Sequence, residues 1–267
     1  MARALIAVGV RPEHAYEVAS RIEIDVAGSG KSSADIERVQ ARLHETLGPE
    51  EGAGTYTRLL RYRDLQRLEA PIIVLIGGAT GTGKSTVATE LAYRLGITRV
   101  TSTDFVRQTM RAFFSDDFMP AVHVSSFEAG VDGFVEQTQN VLVGVTAAID
   151  RALTESWSMV LEGVHLVPGM LPAEAEGALV VQCVLAIEDE AVHESHFLVR
   201  DVVSEGKRSG EKYLNAFGEI RAIQDFIVER AVQAGVPVVR NYNVETTIGD
   251  VMDLVLAGAA AFQEVSA

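Results

Sequence analysis

The run Gly78-Ala79-Thr80-Gly81-Thr82-Gly83-Lys84-Ser85 constrains this chain more than any other stretch. Ahead of it, Ile72 to Ile76 is a continuous apolar segment rich in β-branched residues, the pattern of a strand buried on both faces of a parallel sheet. Behind it, Val87, Leu91 and Leu95 recur at helical spacing up to Gly96, where a helix would end. A strand, a glycine-rich turn and a helix in that order aim backbone N–H groups and a helix N-terminus at one point, as a phosphate chain requires. Gly78, Ala79, Thr80, Gly81, Thr82, Gly83, Lys84, Ser85 and Thr86 are therefore the expected contacts to ATP phosphates. Lys84 would act as a catalytic cation on the β/γ-phosphates, and the Ser85 hydroxyl would bind Mg²⁺.

The rest of the chain from Pro71 alternates strand and helix. Further strands are expected at Thr98 to Thr103, Ser158 to Leu161, Leu179 to Ile187 and Val236 to Val239. Between them Leu142, Val145, Ile149 and Leu153 mark one helix, and Phe217, Ile220, Ile223 and Ile227 mark another that Gly235 closes. This alternation predicts an α/β fold with a doubly wound parallel sheet and right-handed crossovers. Residues up to about Leu68 read differently, as short helices carrying Ala15, Val18, Ala19 and Ile22, then Ile36, Val39 and Leu43, then Tyr56, Leu59 and Leu60, with Gly48 to Gly54 breaking the last two apart. Two domains are expected, a small, mainly helical module over 1–68 and the α/β domain over 69–267.

A second string, Gly28-Ser29-Gly30-Lys31-Ser32-Ser33, imitates the end of the phosphate motif. Asp25 stands where its first glycine should be and would set a carboxylate beside the phosphates. A turn over Gly28 to Lys31, with Ser32 or Ser33 capping the next helix, is the simpler reading.

Composition excludes several partners. A formal charge of −14 and a pI near 4.9 argue against a general nucleic-acid binder, so any basic cluster must be local. No apolar run approaches the roughly 18 residues needed to span a membrane, and the N-terminal apolar stretch is too short for a signal peptide. A cytoplasmic protein is expected, with a homo-oligomer left open. The single cysteine, Cys183, sits in an apolar run and reads as a buried strand residue.

In open α/β sheets ligands lie beyond the carboxyl ends of the strands. Asp104 follows the second strand, with Arg107 one helical turn later, so Asp104 could take the proton of an acceptor hydroxyl and Arg107 could clamp an anion. A helix cap with an ordinary ion pair is the competing reading of the two. Glu162 ends the third strand at the position that orients Mg²⁺ or its water shell, and His165 close by could contact substrate. Arg200, Lys207 and Arg208 form a basic segment in an acidic chain, a lid that would neutralise the transferring phosphoryl group, with Arg200 catalytic. His123, Ser125 and Ser126 follow Pro120 and could bind the acceptor's anionic groups or cap the next helix. Asn241 and Asn243, just past the last strand, are candidates for the adenine side. These residues ask for an anionic acceptor without identifying it, so a kinase of a sugar acid or nucleotide sugar stays open, as does an ATP sensor with no acceptor.

The stretches LIGGATGTGKSTVATELAYRLGI, TSTDFVR, HVSSFEAG, LEGVHLVPG, HESHFLVR and KYLNAFGEIRAIQDFIVERA together resemble the 2-phosphoglycerate kinase family, over Ile72 to about Val239. The resemblance implies Mg²⁺- and ATP-dependent transfer to the 3-hydroxyl of 2-phosphoglycerate, giving 2,3-bisphosphoglycerate. It assigns the acceptor's negative charges to Arg107, His123, Ser125, Ser126 and the Arg200, Lys207 and Arg208 lid. The module over 1–68 looks like the ATP-cone that precedes some members, although it lacks an obvious basic strand pair and starts almost directly at Ala4-Leu5-Ile6.

Overall fold

A computed structural model describes residues 1–29, 36–171, 175–203 and 210–266. Its contacts divide the chain into one unit of Met1–Glu69 with Met252–Ala267 and another of Ala70–Val251.

In the first unit the helices are α1 (Ala2–Ala7), α2 (Pro12–Ser29), α3 (Ile36–Leu47) and α4 (Pro49–Leu65). Their stability comes from packing rather than from helix propensity alone, and they share one apolar core of Leu5, Val8, Ala15, Val18, Ile22, Val39 and Leu43. The break between the last two is tighter than the run of glycines suggests. Only Gly48, at φ 89°, lies outside the helices, and Pro49 opens α4 with Glu50 and Glu51 in its first turn. Proline at the first helical position gives up no hydrogen bond, and the two carboxylates favour the helix N-terminus, so the helix absorbs Gly52 and Gly54. Gly52 also has a packing role, since a Cβ there would stand 2.8 Å from His44 on α3.

Gly28 and Ser29 of the imitation motif belong to α2, while residues 30–35 lie outside the described part. Asp25 instead accepts two hydrogen bonds from Arg42, each at 2.9 Å, which clasp α2 to α3 and hold its carboxyl below the usual range.

The second unit carries β1 (Ile72–Gly77), α5 (Lys84–Leu95), β2 (Val100–Ser102), α6 (Thr103–Phe113), α7 (Gly130–Thr154), β3 (Met159–Glu162) and β4 (Leu179–Ala186). Then come α8 (Glu190–Val203), α9 (Gly210–Asn215), α10 (Phe217–Ala234), β5 (Val238–Arg240) and α11 (Val244–Ser266), whose turns from Met252 belong to the first unit. Among the described residues the five strands form one parallel sheet in the order β2-β3-β1-β4-β5. β1 is paired on both sides and buried along its whole length, which is why its sequence shows no alternation. One layer packs Ile73 and Leu75 with Val141, Val145 and Leu161, and the other packs Val184 with Ile220, Ile223 and Ile227.

The chain leaves β1 toward β2 and leaves β3 toward β4, in opposite directions along the sheet. A crevice opens where such connections diverge, at the carboxyl ends of β1 and β3. The parallel register pairs Ile76 with Glu162, so the end of β3 stands beside the start of the glycine-rich loop. The next residue, Gly163, lies so close to Thr103 that a Cβ would overlap its side chain. Gly163→Ala is therefore expected to push β3 from the start of α6 and lower stability by about 1–3 kcal/mol. Urea denaturation of the two proteins measures this.

Candidate active site

The crevice is a cavity of about 660 Å³. Thr80, Gly81, Gly83, Lys84, Ser85 and Thr86 line its floor, and Ser102, Asp104, Ser126, Glu162, Gly163, Val164, His196, Asn241 and Val244 complete it. Gly83 stands as N-cap of α5 at φ 85°, a backbone setting that suits glycine and lets the first turn of that helix face the cavity. Lys84 is buried and donates to Ala79 O at 2.6 Å, so its ammonium is folded back along the loop.

Ser85 Oγ donates to Glu162 Oε1 at 2.9 Å. Glu162 is only 7% exposed, although its carboxylate lies among polar neighbours at the cavity wall. One hydroxyl and one carboxylate, both oxygen donors, fit Mg²⁺, a hard cation that keeps most of its waters and takes its other ligands from phosphates. Among the described residues, no cluster of three His, Cys, Asp or Glu side chains could hold a metal by itself.

Asp104 sits in the first turn of α6, behind Ser102, whose hydroxyl caps the helix by accepting from Phe105 N at 3.1 Å. Because Ser102 does the capping, Asp104 keeps a carboxylate that is 71% exposed and lines the cavity. Arg107 lies 3.5 Å from it through Nε, but its guanidinium is buried and donates to Val122 O at 3.1 Å and Val124 O at 2.8 Å. Its role in this structure is to hold the segment after Pro120 against α6.

His165 stands apart from the cavity. It is 0% exposed, and both ring nitrogens are engaged, Nδ1 with Thr103 Oγ1 and Nε2 with Gln137 Oε1, each at 2.8 Å. Gln137 Nε2 donates to Ala121 O and Val124 O, so its oxygen must accept. His165 therefore donates from Nε2 and accepts the Thr103 hydroxyl at Nδ1, the neutral tautomer. Substrate contact, the sequence expectation for this residue, is replaced by a buried link from the start of α6 to the 121–124 segment.

The other acceptor-side candidates are divided. Ser126 lines the cavity. The Ser125 hydroxyl accepts from Lys212 at 3.1 Å and its N–H donates to Glu128, while His123 Nε2 pairs with Phe114 O at 2.9 Å. Lys212 also pairs with Glu128 at 2.8 Å, and chiefly this bond holds the Glu128 carboxyl down at about 2. Arg200 lies on α8, one turn beyond His196, with its side chain outside the described part, and Lys207 and Arg208 lie outside the described residues altogether.

Asn241, expected on the adenine side, lines the cavity but has its amide engaged within the protein. Its amide is buried, with Nδ2 donating to Thr82 O at 3.0 Å and Oδ1 accepting from Thr247 at 2.9 Å. Asn243 caps α11 by accepting from Glu245 N at 2.9 Å. Sequence reasoning missed His193 and His196 on α8, which bond to Thr80 O and Gly81 O. Their signal was the i, i+3 spacing in HESH, which puts two imidazoles on one helix face.

The fold and the site define a P-loop phosphotransferase. The chain is 34% identical over 275 residues to the 2-phosphoglycerate kinase of Methanopyrus kandleri, covering 96% of this chain and 82% of that one. Identity is also 34% over 265 residues to the 2-phosphoglycerate kinase of Pyrococcus furiosus, covering 95% and 86%, and 35% over 267 residues to that of Methanothermobacter thermautotrophicus, covering 94% and 87%. The chain belongs to the 2-phosphoglycerate kinase family. No family model matches the sequence. A shikimate kinase structure from Bacteroides thetaiotaomicron superimposes over 69% of this chain and 98% of its own at a TM-score of 0.34 and 15% identity, too slight a likeness to carry an argument.

Burial sets the charge of the two interior imidazoles. It is the largest cause lowering His165 from its ordinary 6.5, opposed by Asp104 and aided by Arg107 and Lys84, and it brings His193 down to about 4. Folded-state values below the unfolded one mean that the unfolded chain binds more protons as pH falls past 6.5. Stability from these two groups is complete above that pH and declines below it. The urea midpoint is expected to be lower at about pH 5 than at neutrality, with a smaller difference in His165→Gln.

Proposed function

We propose that this kinase transfers the γ-phosphoryl group of ATP to the 3-hydroxyl of 2-phosphoglycerate, giving 2,3-bisphosphoglycerate and ADP. The observation that carries the reading is the single cavity onto which Lys84, Ser85, Glu162 and Asp104 all open. Three of these would serve the donor side, and the exposed carboxylate of Asp104 lines the same cavity from α6. The names of the relatives support the choice of acceptor.

In this reading the 3-oxygen of the acceptor attacks the γ-phosphorus in line, its proton passes to Asp104, and the bond to the β,γ-bridging oxygen breaks to release ADP. Lys84 leaves Ala79 O to meet the phosphate oxygens, a change of partner that the flexible lysine stem allows. Ser85 and Glu162 would hold Mg²⁺, which neutralises charge on the β- and γ-phosphates when bound. Ser126, which lines the cavity, would donate to an oxygen of the acceptor. Arg107 and His165 act from behind, keeping the 121–124 segment and the start of α6 in register. The helical unit at the N-terminus is read as an ATP-cone-like module accompanying the kinase unit, and cytoplasmic residence accords with the absence of a helix long and apolar enough to cross a membrane among the described residues.

The test is a phosphoryl-transfer assay with 2-phosphoglycerate, 3-phosphoglycerate and gluconate, with products identified by ³¹P NMR. ADP formed together with 2,3-bisphosphoglycerate only from 2-phosphoglycerate is the expected result, and a strong signal with another acceptor alone would reject the substrate assignment. Lys84→Ala is expected to lower kcat by about 10² to 10³ without loss of fold. Asp104→Asn should lower kcat by about 10² to 10⁴ while ATP affinity is retained, which calorimetry checks.

A further inference from the structure

Four successive carbonyls of the glycine-rich loop are each taken up by a side chain. Ala79 O accepts from Lys84, Thr80 O pairs with His193 Nε2 at 2.8 Å, Gly81 O with His196 Nδ1 at 2.9 Å, and Thr82 O accepts from Asn241 Nδ2 at 3.0 Å. A carbonyl only accepts, so each histidine must donate from the nitrogen that touches the loop. The histidines come from α8 and the asparagine from the end of β5, two different elements of the same unit.

We infer that His193, His196 and Asn241 are positioning residues of the phosphate-binding loop, which turn its peptide planes so that the N–H groups of Gly81 and Gly83 face the cavity. The peptide unit is planar and trans, so a C=O held on one side sends the N–H of the next residue to the other. His193 acts on the plane between Thr80 and Gly81, and Asn241 on the plane between Thr82 and Gly83. His196 holds the middle plane, where Thr82 N–H reaches Ala79 O at the long distance of 3.5 Å.

The brace is itself rigidly held. His193 Nδ1, left as the acceptor, faces Arg221 at 3.4 Å, and Arg221 is anchored by Ile187 O at 2.6 Å and Glu188 O at 3.2 Å. The imidazole also stacks on Phe197 and meets the edge of Phe217, with both centroid distances 5.5 Å. Asn241 is fixed through Thr247. Close approach has a sequence requirement, since a Cβ on Gly81 would stand 2.5 Å from Phe197 and 2.9 Å from His193 Nε2, and one on Gly83 would overlap the Asn241 amide. These glycines thus admit the brace on the outer side of the loop as well as phosphate on the inner side.

The inference rests on the reading that the loop takes ATP, and it concerns the nucleotide alone, whatever the acceptor. The experiment is calorimetric titration of the full chain with Mg·ATP and no acceptor, followed by steady-state kinetics. His193 is the position to vary because, unlike His196, it does not line the cavity. His193→Phe keeps a ring against Phe197 and removes the donor. It is expected to weaken ATP binding and raise the KM for ATP about ten-fold, with the acceptor KM unchanged. His193→Gln carries its N–H as far as Nε2 and should restore affinity to within about three-fold, while the shorter His193→Asn should not. Thermal midpoints identify folded variants, and if the Phe variant is not folded, the Gln and Asn pair decides. Equal ATP affinity in wild type and His193→Phe, or equal recovery by Gln and Asn, overturns the brace. A wild-type protein that binds no Mg·ATP overturns instead the reading of the loop on which both proposals stand.

Discussion

The parallel pairing of β1 with β3 is the contact on which the site depends. It buries two runs of apolar side chains and satisfies their backbone groups in a region closed to water, where unpaired amides would be costly. Its register also sets Glu162 beside Ile76, two residues before the glycine-rich loop. A shift of one residue would turn the Glu162 side chain to the other face of the sheet and break its hydrogen bond with Ser85. Packing and chemistry are therefore decided by the same alignment of strands.

Around that alignment, exposed and buried polar groups divide the work. Asp104 keeps an open carboxylate because Ser102 takes over the cap of α6. Behind it, Thr103, His165, Gln137 and Arg107 form a continuous buried chain of hydrogen bonds ending on the carbonyls of residues 121, 122 and 124. Such a network is useful only if nearly every member is satisfied, because an unpaired polar group in a low-dielectric interior costs more than an apolar one. The neutral tautomer of His165 meets that demand, with one donor and one acceptor facing one acceptor and one donor. The result is a stiff rear wall against which α6 and the segment after Pro120 are set.

The first unit shows the same logic with a different outcome. Its GSGKSS string shares letters with a phosphate loop, but Gly28 and Ser29 continue a helix, and the nearby Asp25 is spent on Arg42. Spacing of glycines and lysine is therefore not enough. The strand that should feed the turn is missing ahead of it: α2 runs up to Ser29 instead, and the N–H groups of a helix beyond its first turn are already used by its own carbonyls.

The sequence by itself determined the sheet and the glycine-rich loop that opens onto the cavity. Continuous apolar runs, helical periodicity and the GATGTGKS spacing are local signals, and the physics that reads them acts over a few residues. It likewise placed Asp104 and Glu162 at strand ends, where the crevice had to be. What it could not decide was which polar residues face that crevice and which hold up its walls. Arg107 and His165 carry the chemistry of substrate ligands yet are consumed by partners 15 and 28 residues or more away, and Asn241, although it lines the crevice, spends its amide on Thr82, 159 residues distant along the chain. Hydrogen-bond demand in a buried interior is settled by whichever donors and acceptors folding brings together, and only the tertiary structure specifies those meetings.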